Sequence, residues 1–377
     1  MPELTQINVY QEQSYLLDPY LEDIVVPPAR ALQALVCETR APWVSLTPEQ
    51  QGAMSQFARL LYVYTKVRGY KLVLRFLSHD IGDLIPVLTV LESATDARPP
   101  WEVLYVLLLW LALLALVPFQ LEQASDTQLS LAQRIEHVAR MFLGSSGKER
   151  DGASVVLGHL YRRKDAASLL YAPFLAWART EIQSTQSPFL ATGLLQTLCA
   201  MTKNSDAPNV LQHYEELLAL LNSYAPWEHK SALVDHYRVK LRGRLARQLL
   251  AVSRDDERVD DHVDALLRAL SHADTRVRYS SAKALARVCM RLPSEMTAQV
   301  LETLFDALAE NVRMAATPAN DISNELEELD LDAVSESTWH GVHLALAECV
   351  RRGCVVDDAL MHRVVVWTLQ VRQRHQS

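Results

Sequence analysis

The stretch DDHVDALLRALSHADTRVRYSSAKALARVCMRLP, residues 260–293, decides how the rest of the chain is read. His262 to Leu270 has helical periodicity, Ser271-His272-Ala273-Asp274 makes a very short turn, and a second helix opens with Thr275-Arg276-Val277-Arg278. Ser281, Ala282, Ala284, Leu285 and Ala286 follow, and small residues at that density let two helices approach closely. Val277, Ala284 and Leu285 are expected to face neighbouring helices. Asp274 can accept from the free amides at the start of the second helix. Arg278 can bridge to carboxylates or loop carbonyls of an adjacent unit.

This order resembles a HEAT or armadillo-type repeat, a helix pair with a period of about 40 to 47 residues. Helical patterning continues outward from it on both sides. Thr47 can cap a helix with Pro48 at its first position and Gln50 three residues on, after which Phe57, Leu60, Leu61 and Tyr64 share a face. Leu131, Ile135, Val138 and Phe142 make another stripe, ending at Gly144, and Leu217, Leu218 and Leu221 belong to a third between Pro208 and Pro226. About thirteen helices are expected, with no strand alternation. Met296–Glu310 and Ser337–Val350 form a second pair whose linker is acidic: residues 321, 325, 327, 328, 330, 332 and 336 are carboxylates, with no basic residue among them. A solvated insertion is the expectation there, a docking peptide for a basic partner the other reading. The fold class expected is all-α, a HEAT/armadillo-type α-solenoid of antiparallel helix pairs. Residues 1–46 are read as an N-terminal segment packing on the first repeats, 47–377 as the repeats, and 311–336 as the acidic insertion.

Composition narrows the alternatives. Glycine is 11 of 377 residues, about 2.9% against a usual 7% or so, while hydrophobic residues reach 49%. So few residues able to take positive φ cheaply argue against hairpin-rich sandwiches, barrels and propellers. Thirty-seven Lys and Arg against 45 Asp and Glu give a net charge of −8, which disfavours a general nucleic-acid binder. Cys37, Cys199, Cys289, Cys349 and Cys354 are widely spread and read as reduced, buried thiols of a cytosolic protein. The first thirty residues hold Glu3, Glu12, Asp18, Glu22 and Asp23 and no apolar block, so no secretory signal is read there. Val103 to Phe119 is a charge-free apolar run, short for a membrane span, with Pro118 in its last turn, and is expected to be a helix buried on all sides.

Patterns that suggest chemistry fit poorly. His340 and His343 could share a helix face as zinc ligands, but Cys349 falls on the opposite side and Cys354 lies beyond Gly353. Gly144-Ser-Ser-Gly147-Lys148 lacks the spacing and the following Ser or Thr of a phosphate loop. No catalytic triad order stands out, so no catalytic residue, cofactor or metal is assigned. Arg238, Lys240, Arg242, Arg244 and Arg247 read as the solvated side of a helix. Lys66-Val-Arg68-Gly-Tyr70-Lys71 is more pointed: Gly69 breaks a helix end, so two tyrosines and three cations are expected to be displayed at a turn, a composition suited to an acidic protein surface.

The residue order along the chain resembles the tubulin-folding cofactor D family. Tyr10-Gln11-Glu12-Gln13 with Leu16-Leu17-Asp18-Pro19 is similar to its opening segment, and Thr65-Lys66-Val67-Arg68-Gly69-Tyr70-Lys71 to its most distinctive short motif. Further along come Leu107-Leu108-Leu109-Trp110-Leu111 with Pro118-Phe119, Gly147-Lys148-Glu149-Arg150-Asp151, Asp274-Thr275 with Val277-Arg278, and Trp339-His340-Gly341 with Arg351-Arg352-Gly353. Val25 to Arg40 and the acidic insertion match little. The resemblance implies a non-enzymatic chaperone, cytoplasmic and cytoskeleton-associated. Its implied partners are β-tubulin, tubulin-folding cofactors C and E and a small Arf-like GTPase, with neither nucleic acid nor a membrane span, and it implies a share in stimulating GTP hydrolysis by tubulin. A generic helical-repeat scaffold or transport adaptor is the alternative. Lys66, Arg68, Tyr70, Lys71 and Arg278 are the candidate partner-binding residues, with a structural role as the other reading. Asp274, Val277, Trp339 and His340 are candidates for holding repeats together. The last helix, with Met361, Val364, Val365, Trp367 and Leu369, has no following partner, so the chain is expected to be a piece of a longer solenoid.

Overall fold

A computed structural model describes residues 7–95, 98–118, 129–184, 187–224, 230–310, 313–314, 329–330, 335–354, 359 and 362. The chain divides into two compact units, Met1–Ser205 and Asp206–Ser377. In the first, short 3-10 turns at Asn8–Gln11 and Ser14–Tyr20 precede α1 (Leu21–Thr39), α2 (Pro48–Arg68), α3 (Leu84–Glu92), α4 (Trp101–Leu114), α5 (Leu131–Phe142), α6 (Lys148–Leu160), α7 (Lys164–Ser184) and α8 (Pro188–Asn204). Helix starts follow the capping chemistry of the sequence. Thr47 and Gln50 bond each other's amides ahead of α2, with Pro48 at the first helical position, and Ser130 and Gln133 do the same ahead of α5. The even-numbered helices stack on one another, and α1, α3 and α5 each pack behind the even-numbered helix that follows. Hydrogen bonds between stacked helices carry the repeat period. His159 Nδ1–H donates to the Ala112 carbonyl at 2.9 Å across 47 residues, and Asn204 donates to the Gly158 carbonyl across 46.

α4 is the apolar run of the sequence. Every residue from Val103 to Ala112 is buried because α2, α3 and α6 surround it, and Trp110 Nε1–H donates to the Ser78 carbonyl at 2.9 Å. The helix ends at Leu114, and no described helix is long and apolar enough to cross a membrane. Polar groups buried in this unit are knitted together. The Tyr161 hydroxyl donates to Glu136 at 2.5 Å, Arg140 donates to the same oxygen at 2.8 Å, and the Arg140 guanidinium lies 4.4 Å from the Trp177 ring centre, tying α5 and α6 to α7.

The second unit runs through α9 (Ala207–Gln212), α10 (Tyr214–Asn222), α11 (Ala232–Val252), α12 (Arg258–Arg268), α13 (Thr275–Cys289), α14 (Ser294–Glu310) and α15 (Glu336–Arg351). α11, α13 and α15 stack, with α12 against α11 and α13, and α14 against α15. Between α11 and α13 the hydrogen-bonded separation is 44 residues, from Ser280 to His236 and from Arg291 to Arg247. From Arg278 on α13 to His340 on α15 it is 62, because the insertion adds to one repeat without breaking the stack. Within the insertion Arg313–Met314 pairs antiparallel with Leu329–Asp330, a two-residue pairing that leaves the fold all-α. Most of the acidic residues between 321 and 336 lie outside the described residues, as do Met361, Val364, Val365, Trp367 and Leu369.

Close approach is enforced by missing side chains. A Cβ at Gly341 of α15 would overlap the Leu270 carbonyl, and one at Gly243 of α11 would overlap the Ala284 side chain. Gly341→Ala is therefore expected to destabilise by about 1–3 kcal/mol. Gly52→Ala, in α2 with nothing within 4 Å of the new methyl, should stabilise by about 0.5–1 kcal/mol; denaturant unfolding of both variants checks the contrast.

His262 is fully buried, its Nε2 2.9 Å from the Tyr214 hydroxyl, and burial pushes its pKa down to about 4. A histidine held neutral contributes stability in full above its unfolded pKa of about 6.5 and loses it as pH falls toward the folded value. Unfolding free energy should fall by roughly 1 kcal/mol per pH unit below pH 6, and His262→Asn should flatten that slope in a pH series of denaturant titrations.

Candidate partner-binding surface and the seams between repeats

The segment Lys66–Lys71 sits where α2 ends. Gly69 takes φ 93°, a conformation costly for any side chain, and its amide closes the helix on the Thr65 carbonyl. Beyond it a short helical turn, Tyr70–Val73, departs in a new direction. Lys66 and Lys71 are exposed, Tyr70 is half-buried, and Val67 is buried beneath them. Arg68 grips Asp18 through Nε and through Nη2, the latter at 2.6 Å, and Lys66 Nζ donates to Asn8 Oδ1 at 3.2 Å. Both acceptors belong to the 3-10 turns before α1, so this motif clasps residues 8–20 against α2. The clasped segment carries Tyr10, Tyr15 and Tyr20, exposed at 41%, 61% and 62%. Sequence reading missed them because no periodicity marks them as a face.

The residues named around α13 build a seam. Asp274 caps the helix by accepting from the Arg276 amide at 2.8 Å, and Val277 is buried. Arg278 is only 8% exposed. Its Nη1 donates backward to the carbonyls of His272 and Ala273 at 2.7 and 2.8 Å, Nη2 reaches Thr275 Oγ1, and Nε donates forward to His340 Nδ1 at 3.1 Å. A guanidinium so engaged holds one repeat on the next. Trp339 packs on His343, ring centres 4.3 Å apart, while the cap of α15 is Ser335. The first unit repeats the device in Arg150 of α6, also 8% exposed, which donates backward to the Ser145 carbonyl and forward to Gln196 of α8 at 3.1 Å. Sequence reading quoted Arg150 without a role; its place shortly after a helix start, as for Arg278, was the available signal.

The other chemical patterns dissolve. Lys148 pairs with Asp151 at 2.9 Å, at the start of α6. Cys289, Cys349 and Cys354 meet in the core, apart from His340 on Arg278 and His343 on the Trp339 carbonyl. Contact with the Cys289 thiol, with burial, pushes the Cys349 thiol well up, and contact with Cys349 does the same to Cys354, so these thiols stay protonated. Cys37 is pushed up to about 12 by burial and by Asp83, which accepts its S–H at 3.0 Å. No group of three or more ligating side chains among the described residues is arranged to hold a metal ion.

Helix pairs stacked at this period, joined by buried arginines, define an armadillo-type helical repeat protein. Residues 7–182 match the family model described as Tubulin-specific chaperone D-like, ARM repeat, and residues 244–317 match its second set of ARM repeats, together more than half of the chain. The chain belongs to the tubulin-specific chaperone D-like family. It is similar to the tubulin-folding cofactor D of Schizosaccharomyces pombe, 26% identical over 343 residues that cover 82% of this chain and 29% of that protein. It is likewise similar to the tubulin-specific chaperone D of Dictyostelium discoideum, 23% identical over 505 aligned positions that cover 94% of this chain and 33% of that protein. The chain thus spans about a third of the length of these relatives.

The arginine–aspartate clasp lowers the Asp18 pKa, chiefly through the hydrogen bonds from Arg68. Its contribution is present above the ordinary aspartate pKa and is lost only as pH falls through the lowered value. Asp18→Asn and Arg68→Met are each expected to speed amide hydrogen exchange across residues 8–20, with the double variant adding little to either. Unchanged exchange in both single variants would show that the clasp holds nothing in place.

Proposed function

We propose that this chain is part of a tubulin-folding chaperone that holds β-tubulin during assembly and disassembly of the αβ heterodimer. It works in the cytoplasm and at the cytoskeleton with tubulin-folding cofactors C and E and a small Arf-like GTPase. It contributes to GTP hydrolysis by tubulin through the complex it joins, without a catalytic residue of its own. The observation that carries the reading is family membership running through both units in chain order, together with the names of the relatives. The physics of the fold supports it: stacked repeats offer an extended surface on which many weak contacts add up against a folded client.

The contact surface of this proposal is Lys66, Tyr70 and Lys71, bordered by the exposed tyrosines clasped beside them. Arg68 and Arg278 are left out because their guanidiniums are held by several bonds within the chain, whereas Lys66 is exposed and bonds Asn8 through one donor. Lys66→Glu combined with Lys71→Glu is expected to weaken capture of β-tubulin or the GTPase about tenfold while leaving the chain folded. Undiminished capture of both partners removes the surface. An unaltered chain that retains no β-tubulin, alone or with the cofactors, removes the function.

A further inference from the structure

α11 and α13 carry the same side chains in the same order: Tyr237, Lys240, Arg244 and Arg247 on the first, Tyr279, Lys283, Arg287 and, just past the helix end, Arg291 on the second. Spacings of three and four residues place each set on one face. The helices stack with Arg291 Nη1 donating to the Arg247 carbonyl at 2.8 Å, and the arginines of the two helices lie near one another. α15 extends the face with Arg351 and, just past its end, Arg352. Glu348 reaches this group and is already bracketed by Arg351 at 2.6 Å and Arg352 at 3.2 Å. Arg247 Nε is shielded from water and has no acceptor among the described residues. Burial and then Arg291, Arg287, Arg244 and Arg352 push the Arg247 pKa down. In a chain of net charge −8, this gathering of guanidiniums is not a by-product of a basic composition; like charges held together this way favour an anion across them.

We infer that this face of α11, α13 and α15 docks an acidic polypeptide segment of a partner protein, its carboxylates gripped by the arginines. Cations recur along each helix at about one turn, 5.4 Å, close to the roughly 6.8 Å between alternate residues of an extended chain. The guanidinium fork matches a carboxylate two hydrogen bonds at a time. A nucleic-acid strand would need open aromatic faces for stacking, and here Lys240 Nζ lies 5.1 Å from the Tyr237 ring centre and Lys283 Nζ 4.2 Å from that of Tyr279. The inference rests on the second unit alone and holds whether or not tubulin is the client.

Fluorescence anisotropy of the whole chain tests it, with a Glu-rich peptide, its Gln-rich counterpart and a short single-stranded oligonucleotide as probes at low and physiological ionic strength. The Glu-rich peptide should bind, the Gln-rich one should not, and salt should weaken the complex. Arg287, Arg291 and Arg351 are exposed, so Arg287→Gln with Arg291→Gln and Arg351→Gln should leave the chain folded, its helical circular-dichroism spectrum intact, while weakening the peptide about tenfold or more and flattening the salt dependence. Arg287→Gln alone should give a smaller loss in the same direction, and Lys66→Glu with Lys71→Glu no loss. Equal binding of the two peptides, full affinity in the triple variant, or an oligonucleotide that binds more tightly and displaces the peptide would overturn the inference. So would peptide binding seen only after residues 315–328 are replaced by a neutral linker, because the chain's own acidic insertion would then be the occupant.

Discussion

Burying a guanidinium is costly unless its donors find acceptors, and Arg150 and Arg278 meet that condition only because the neighbouring repeat supplies some of them. Each bonds backward to the carbonyls of the turn that starts its own helix and forward to a side chain on the next stacked helix. The turn, the helix start and the next repeat are held by one side chain, so none can shift without leaving charge unpaired. The same logic governs Tyr161, Glu136 and Arg140 in the first unit, where burial of a carboxylate is offset by a hydroxyl and a cation from its neighbours.

Close helix approach is the second condition, and small residues meet it. Gly243 against Ala284 and Gly341 against the Leu270 backbone bring helices near enough for the arginine bonds to form. With so few glycines in the chain, the placement of Gly243 and Gly341 inside helices is informative. It also explains α4: a helix packed by neighbours on every side has no face left for polar residues, which produces an apolar run that resembles a membrane segment.

Charge left over after these internal bonds is what a partner can meet. In the first unit Lys66 and Lys71 remain at the surface beside a tyrosine-rich segment held down by Arg68. In the second, register between repeats turns two modest stripes of Tyr, Lys and Arg into a two-dimensional array. Helix ends and caps were legible in sequence because they depend on residues three or four positions apart, as Thr47 with Gln50 and Asp274 with Arg276 show. The seam through Arg278 was half legible: its residue type and its place after Asp274 suggested a bridge, while its partner His340 lies 62 residues away, beyond an insertion. The arginine array was hidden because Arg244 and Arg247 seen alone are only the polar side of one helix.

By itself the sequence determined the helical class, the repeat of about forty residues and the family, since periodicity, capping and residue order are local properties that survive without neighbours. Tertiary structure alone decided which cations are bonded inside and which face outward. Arg68 and Lys71, Arg278 and Arg287 look alike in the sequence. Their exposure is set by whether an acceptor stands opposite on another element, and that depends on the register in which the helices stack.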